Sequence, residues 1–165
     1  MFKMLNVLNT LYDKEILGKI DFLKTIRLFE GIKKRDLIHI LENLQERTYL
    51  KGETVFTQGD IGRALFIVFS GKIALARLDP ETAKSDVIAE VQPGEFFGEM
   101  ALLEEMPRTA TACALEETRV FMLFKIKLDS LLFARPKIGV TIAAQLAKIL
   151  SARLRAILEQ PSEQV

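Results

Sequence analysis

Hydrophobic and polar positions follow three different periods along this chain, and each change of period marks a boundary. Over residues 2–45 the apolar side chains recur at helical spacing: Phe2, Leu5, Leu8 and Leu11 fall on one stripe, and Leu37, Ile40, Leu41 and Leu44 on a second. Gly31 separates the second stripe from what precedes it, and Lys33, Lys34, Arg35 and Asp36 read as a solvated helix start. Over 46–125 the period shortens to that of strands. Six short β-rich runs, ETVFTQ, ALFIVFS, KIALARL, DVIAEV, TATACAL and RVFMLF, are punctuated by six of the nine glycines, Gly52, Gly59, Gly62, Gly71, Gly94 and Gly98. Short strands at near-regular spacing with glycine turns predict an antiparallel sandwich or barrel, the turns needing φ > 0. Helical spacing returns over 136–160. Pro136 suits a first turn, and Ile138, Ile142, Leu146, Ile149, Leu150, Leu154, Ile157 and Leu158 make an apolar face wider than a lone surface helix needs. Part of that face is expected to pack on the barrel, and the remainder to meet a second copy of the chain. Pro161 marks the start of a frayed tail.

Composition narrows the function classes. In 165 residues, 49% hydrophobic and 27% charged, there is enough apolar material for a real core in one domain with appended helices. Net charge is +1, but residues 46–135 carry 11 basic and 14 acidic side chains, a local −3. Binding nucleic acid through this middle segment would require the opposite sign. Cys113 is the single cysteine, so no intrachain disulfide forms, and its alternating apolar surroundings predict a buried strand thiol. No apolar run approaches the length of a membrane span, and MFKMLNVLNTLYDKEIL lacks the cleavage site of a signal peptide, which leaves a cytoplasmic location as the default. One histidine, His39, falls on an N-terminal helix as a partly exposed packing residue, too little for a cupin-type metal centre.

The stretch Gly94–Ala112, GEFFGEMALLEEMPRTATA, is a long connection in an otherwise β-rich region, where function tends to reside. Gly98 and Glu99 open an apolar run long enough for about one helical turn, whose first amide N–H groups lack partners, and Gly98 would let a ligand approach them. Arg108 follows nine residues after Glu99, behind Pro107. Its guanidinium could bind two phosphate oxygens at once. A carboxylate beside a phosphate is repulsive unless it accepts hydrogen bonds from a nearby sugar hydroxyl. A salt bridge between Glu99 and Arg108 that merely closes the loop fits the same residues equally well, and Glu104 and Glu105 read as a solvent-facing loop tip.

FGEMALLEEMPRTATA resembles the phosphate-binding cassette of the cyclic-nucleotide-binding domain family, which includes regulatory subunits of cyclic-AMP-dependent kinase, cyclic-nucleotide-gated channels and bacterial catabolite activators. Its signature residues are present as Phe97, Gly98, Glu99, Ala101, Leu102, Pro107, Arg108 and Ala110. LKGETVFTQGDIGRALFIVFSGKI is similar to the family's glycine-punctuated strands and LFEGIKKRDL to the helix that leads into them, so the likeness runs from about Leu28 to about Gln160. The resemblance implies that Glu99 binds the ribose 2′-hydroxyl and Arg108 the cyclic phosphate, with backbone N–H groups at Met100, Ala101, Thr109 and Ala110 completing the anion site. It places Ile88 against the base, and Arg153 and Leu154 near the base's outer face, where Arg153 could stack. An exposed helix arginine explains Arg153 as well. Thr109 can contact guanine in this family, yet binders of cyclic AMP tolerate it, so the ligand stays cyclic AMP or cyclic GMP.

The expected fold is α+β: an antiparallel β-roll (jelly-roll-like, a double-stranded β-helix) flanked by N-terminal helices and one long C-terminal helix. The boundaries are an N-terminal helical extension at 1–27, a cyclic-nucleotide-binding domain at 28–160 (helix 32–45, β-roll 46–125, C-terminal helices 126–160) and a tail at 161–165. A catabolite-activator-type regulator needs a helix-turn-helix after the long helix, and only 29 residues follow Pro136, so DNA binding by this chain alone is excluded. No set of metal-binding or nucleophilic residues for catalysis is present, so no enzyme, metal or cofactor is expected. The expectation is a stand-alone sensor whose C-terminal helix moves with the ligand and signals to a homodimer partner or an effector protein. A degenerate domain that docks proteins without nucleotide, and a sensory piece of a larger channel or enzyme, are the competing readings. The initiating Met1 and the polar end at Val165 weigh against the latter.

Overall fold

The computed structural model of the chain describes residues 2–159, and their side chains from residue 14 onward. The stripe Phe2, Leu5, Leu8 and Leu11 and the tail from Pro161 therefore lie outside the described side chains or residues. Two compact units divide the chain: Ile38–Ser130 forms one, and the segments through Leu37 and from Leu131 form the other.

Eight strands build the first unit: β1 (Leu44–Tyr49), β2 (Thr54–Phe56), β3 (Ala64–Ser70), β4 (Ile73–Leu78), β5 (Ser85–Val91), β6 (Phe96–Phe97), β7 (Thr111–Ala114) and β8 (Thr118–Phe124). They pair antiparallel in two four-stranded sheets, ordered β1-β8-β3-β6 and β2-β7-β4-β5. Their inward side chains form one core: Tyr49, Ala64, Phe66, Val68, Phe97 and Val120 from the first sheet, and Ile73, Val91, Ala112 and Ala114 from the second. β3 is buried on both faces, since Leu65 and Ile67 are as inaccessible as Phe66 and Val68. That is why its sequence is a continuous apolar run and not an alternating one. All six β-rich runs of the sequence become strands.

Two strands escaped the sequence reading. β1 is mostly polar, with Gln45 to Thr48 exposed, and exists because β8 pairs with it from Leu44↔Leu123 to Tyr49↔Thr118. The helix expected over 32–45 is shorter, α2 at Lys34–Leu41, and Leu44 is a strand residue and not part of the helical stripe. Asn43 explains the early stop: its Nδ2 donates to His39 O at 2.7 Å, satisfying a carbonyl that the last helical turn leaves open. β6 is only Phe96–Phe97, too short to carry a period. Cys113 was expected to be a buried thiol. Ala112 and Ala114 take the inward positions of β7, which leaves Cys113 half-buried on the outer face with Sγ 3.3 Å from Gly52 O. Five of the six glycines in this region have positive φ; Gly62 is the exception.

The second unit is helical. It contains α1 (Phe2–Thr25), a 3-10 turn (Arg27–Phe29) and α4 (Pro136–Glu159), while α2 and α3 (Lys125–Ala134) each run from one unit into the other. Ile20, Leu23, Ile26, Leu28, Phe29, Ile138, Ile142, Leu146 and Ile149 are among its buried residues. The apolar face of α4 was expected to pack on the barrel. Within its own unit it meets the Arg27–Phe29 turn, and Gln145 Nε2 donates to Glu30 O at 3.2 Å. Its last turns stay open, with Leu154, Ile157 and Leu158 58–75% exposed. Pro136 occupies the first position of α4, where its missing N–H has no partner to lose.

Candidate functional site

The cassette is shaped by what β6 is tied to. Phe97 pairs with Phe66 and Ile67 with Phe96, which lays the chain beside the start of β3. Gly98 then turns in the left-handed region (φ 72°, ψ 20°), and Glu99–Leu102 form a single 3-10 turn. Glycine is required at Gly98 twice over. A side chain resists this φ, and a Cβ would stand 2.6 Å from Arg108 Nη1 and 3.3 Å from Ala64 O. Ala101 and Leu102 face inward and anchor the turn, while Met100 and Leu103 are exposed. Glu99 is a buried side chain, 6% exposed, on the same turn.

Arg108 is fixed by its main chain before its side chain is considered. Its N–H donates to Asp60 O at 2.7 Å, and its carbonyl accepts from Gly59 N at 2.9 Å. Gly62 N donates to Met106 O at 3.0 Å, and Ile61 bridges Pro107. The β2–β3 loop, QGDIG, thus holds the far end of the cassette like a short strand. The side chain then reaches back across the cassette. Nη1 donates to Gly98 O at 3.2 Å and Nη2 to Ala64 O at 2.7 Å. The guanidinium lies over the Phe56 ring, with Cζ 4.1 Å from its centroid, and 5.6 Å from that of Phe66. Burial pushes its pKa below the usual guanidinium value, and the negative charges of Asp60 and then Glu99 oppose that shift. The cation therefore keeps its charge in a half-buried setting. A guanidinium has five N–H donors, and two carbonyls leave it capacity for an anion.

The structure brings Gly98, Glu99, Met100, Ala101, Arg108, Thr109 and Ala110 onto one continuous cassette. Their local settings add detail to the sequence reading. The amide of Ala101 is engaged by Gly98 O at 3.2 Å within the 3-10 turn, so it is not an open donor, and Ala101 contributes its buried methyl group instead. Arg108 makes its side-chain hydrogen bonds to main-chain carbonyls, and Glu99 acts on it as one of two favourable charges. Glu104 and Glu105 are exposed, and Glu105 pairs with Arg63 at 3.4 Å. Ile88, 50% exposed, lies where β5 carries an extra residue between the pairs Leu75↔Ala89 and Ala76↔Val87. Arg153 and Leu154 belong to α4 in the helical unit.

Sequence reasoning passed over Phe56, Asp60 and the carbonyl of Ala64, and gave Gly62 a different reason. Gly62 was read as one more turn residue, but its φ is not positive. A Cβ there would stand 3.0 Å from Ala101 Cβ and 3.1 Å from Arg108 Cζ, so close approach, not backbone conformation, is what favours glycine. The glycine spacing of VFTQGDIG was the available signal. Among the described residues no group of three or more His, Cys, Asp and Glu side chains could hold a metal ion, and no helix is long and apolar enough to cross a membrane.

A two-sheet roll with a glycine-hinged turn, a buried glutamate and an arginine clamped across it is the arrangement that the comparisons with known proteins identify. The family model of the cyclic nucleotide-binding domain matches residues 46–135, and the chain belongs to that family. It is 38% identical over 121 residues to the cyclic AMP receptor protein of Thermus thermophilus, covering 73% of this chain and 56% of that protein. The crystal structure of the Thermus thermophilus catabolite activator protein superposes with a TM-score of 0.73 at 39% identity, over 81% of this chain and 61% of the other. A cyclic nucleotide-binding domain from Methylobacillus flagellatus gives a TM-score of 0.77 at 25% identity, over 93% of this chain and 88% of the other. The chain thus spans little more than half the length of the curated Thermus relative.

Proposed function

We propose that this chain is a sensor of a cyclic purine nucleotide, cyclic AMP or cyclic GMP, that binds its ligand without transforming it. The observation that carries the reading is Arg108, a cation held half-buried across the cassette by Gly98 O, Ala64 O and the Phe56 ring. A charged donor fixed in this way is poised for an anion at little further ordering cost. In this reading Arg108 takes the cyclic phosphate, with main-chain N–H groups at Met100, Thr109 and Ala110 beside it. The buried Glu99 accepts the ribose 2′-hydroxyl, which removes the conflict of a carboxylate next to a phosphate. Ile88 meets the base. The name of the Thermus relative supports cyclic AMP as the first ligand to try.

Signal output follows from differential affinity. A ligand shifts the position of α4 only as far as it binds the two positions unequally. The exposed Leu154, Ile157 and Leu158 supply a surface that a second copy or an effector protein would read.

Isothermal titration calorimetry with cyclic AMP and cyclic GMP tests the reading directly. Saturable binding of either that is abolished in 2′-deoxy analogues supports the site as assigned. Absence of binding by both overturns it and leaves a docking module of the same fold.

A further inference from the structure

Phe56 has no place in the cassette and lies more than fifty residues before Arg108 in the chain. A bulge in β2 brings it there. Thr54 pairs with Cys113, and Phe56 pairs with Ala112 where a regular ladder would pair it with Thr111. The extra residue turns Phe56 to the side of Ala112, which is fully buried, and the small alanine opposite leaves room for the ring. There Phe56 packs on Phe66 and Phe97 at centroid distances of 5.5 and 5.8 Å, and those two rings stack on each other at 5.2 Å. The aromatic group is thus fixed from beneath, and its upper face carries the Arg108 guanidinium at 4.1 Å.

We infer that Phe56 is a positioning residue for anion capture: its ring face, set by the β2 bulge, holds the Arg108 guanidinium in the orientation from which it binds the ligand's phosphate. This rests on the cyclic-nucleotide reading for the identity of the ligand, but not for the positioning itself. A long arginine side chain has many rotamers, and two carbonyl contacts at one end restrain it only in part. The ring adds an attractive face 4.1 Å from the guanidinium carbon, an attraction stronger in a partly desolvated place than on an open surface. Gly62 and Gly98 bring the main chain close to the same group: a Cβ would stand 3.1 Å from Arg108 Cζ at Gly62 and 2.6 Å from Nη1 at Gly98. A phosphate can share this cation because the ring uses its face and leaves the N–H edge to oxygen acceptors.

Phe56→Leu retains apolar volume and loses the π face, Phe56→Tyr retains the face, and pentafluorophenylalanine at 56 retains shape and packing while making the face electron-poor. Each is to be titrated with cyclic AMP and cyclic GMP, with the fraction folded read by circular dichroism. The Arg108 Nε–H proton is followed by NMR without ligand, where a ring beneath it imposes an upfield shift and slows exchange with water. The expected result is affinity weaker on the order of tenfold for the leucine and pentafluoro variants, and within about twofold of the parent for tyrosine. The leucine variant should also lose the upfield shift. Packing alone predicts parent-like affinity for the pentafluoro protein once the folded fraction is counted, and that result overturns the inference even if the leucine variant fails to fold. If the parent binds neither nucleotide, the ligand reading falls by itself. The Arg108 Nε–H signal then decides the role of Phe56: an unshifted, fast-exchanging proton in the parent protein overturns it.

Discussion

Replacing Gly98 by alanine tests the geometry of the cassette with one methyl group. The perturbation has two separable parts. Backbone strain comes first: at φ 72° and ψ 20° a residue with a Cβ costs about 1–2 kcal/mol relative to glycine. Collision is the second, because the new Cβ would stand 2.6 Å from Arg108 Nη1. The arginine tip is the part able to move, and its movement breaks the 3.2 Å bond to Gly98 O and strains the 2.7 Å bond to Ala64 O. Hydrogen bonds to a charged group are worth about 1.5–3 kcal/mol each, and a half-exposed guanidinium recovers much of one lost bond from water. Together these give a loss of about 2–3 kcal/mol. At about 2–4 °C per kcal/mol for a chain of this size, the melting midpoint falls by about 4–12 °C. The assay is thermal unfolding by circular dichroism of Gly98→Ala in the parent and in an Arg108→Ala background. Without the arginine only the backbone part remains, so the second drop should be the smaller. Equal drops in both backgrounds would refute the collision, and an unchanged midpoint in the parent would refute the whole argument.

Three further expectations follow from the same residues. Arg108→Ala should weaken cyclic-nucleotide binding by about 2–4 kcal/mol by calorimetry, since the anion loses charge-assisted bonds in a partly closed place, and unchanged affinity would remove the phosphate assignment. Glu99→Gln should erode the preference for ribose over 2′-deoxyribose ligands, and equal discrimination before and after would count against the sugar role. Tyr49, 1% exposed, has its hydroxyl pKa raised above 10.0 chiefly by burial, with Arg47 opposing and Glu53 adding to the shift. The neutral form is favoured in the fold, so its contribution is complete below pH 10. It is lost as pH rises through the folded value, because the unfolded chain releases that proton first. Urea unfolding across pH 9–11 should show a decline that Tyr49→Phe flattens; parallel declines in the two proteins would assign the effect elsewhere.

Arg108 and Glu99 stood out together in the cassette, and the run ALFIVFS was legible as a strand, but its burial on both faces is seen only in the folded molecule. Leu44 was misread because its apolar spacing continues the stripe of Leu37 and Ile40, whereas Asn43 ends the helix through a side-chain bond that periodicity does not see. Cys113 was misread because small apolar neighbours on both sides hide which face of β7 points inward. That choice is made by register: Ala112 and Ala114 lie opposite Leu75 and Ile73.

What the chain's own order of residues decided is local: turns at glycines that adopt positive φ, strands where β-branched and aromatic residues cluster, and an arginine kept near a one-turn helix by a fixed short spacing. What only the folded molecule decided is which distant groups surround that arginine. Phe56, Gly62 and Ala64 come to it from β2, the β2–β3 loop and β3, through a bulge, a close approach that leaves little room for a Cβ, and a main-chain carbonyl. Apart from the glycine spacing of VFTQGDIG, none of these has a signature in side-chain type or period. A register shift and a carbonyl direction are properties of paired backbones, and backbones pair only once the two sheets have closed on their common core.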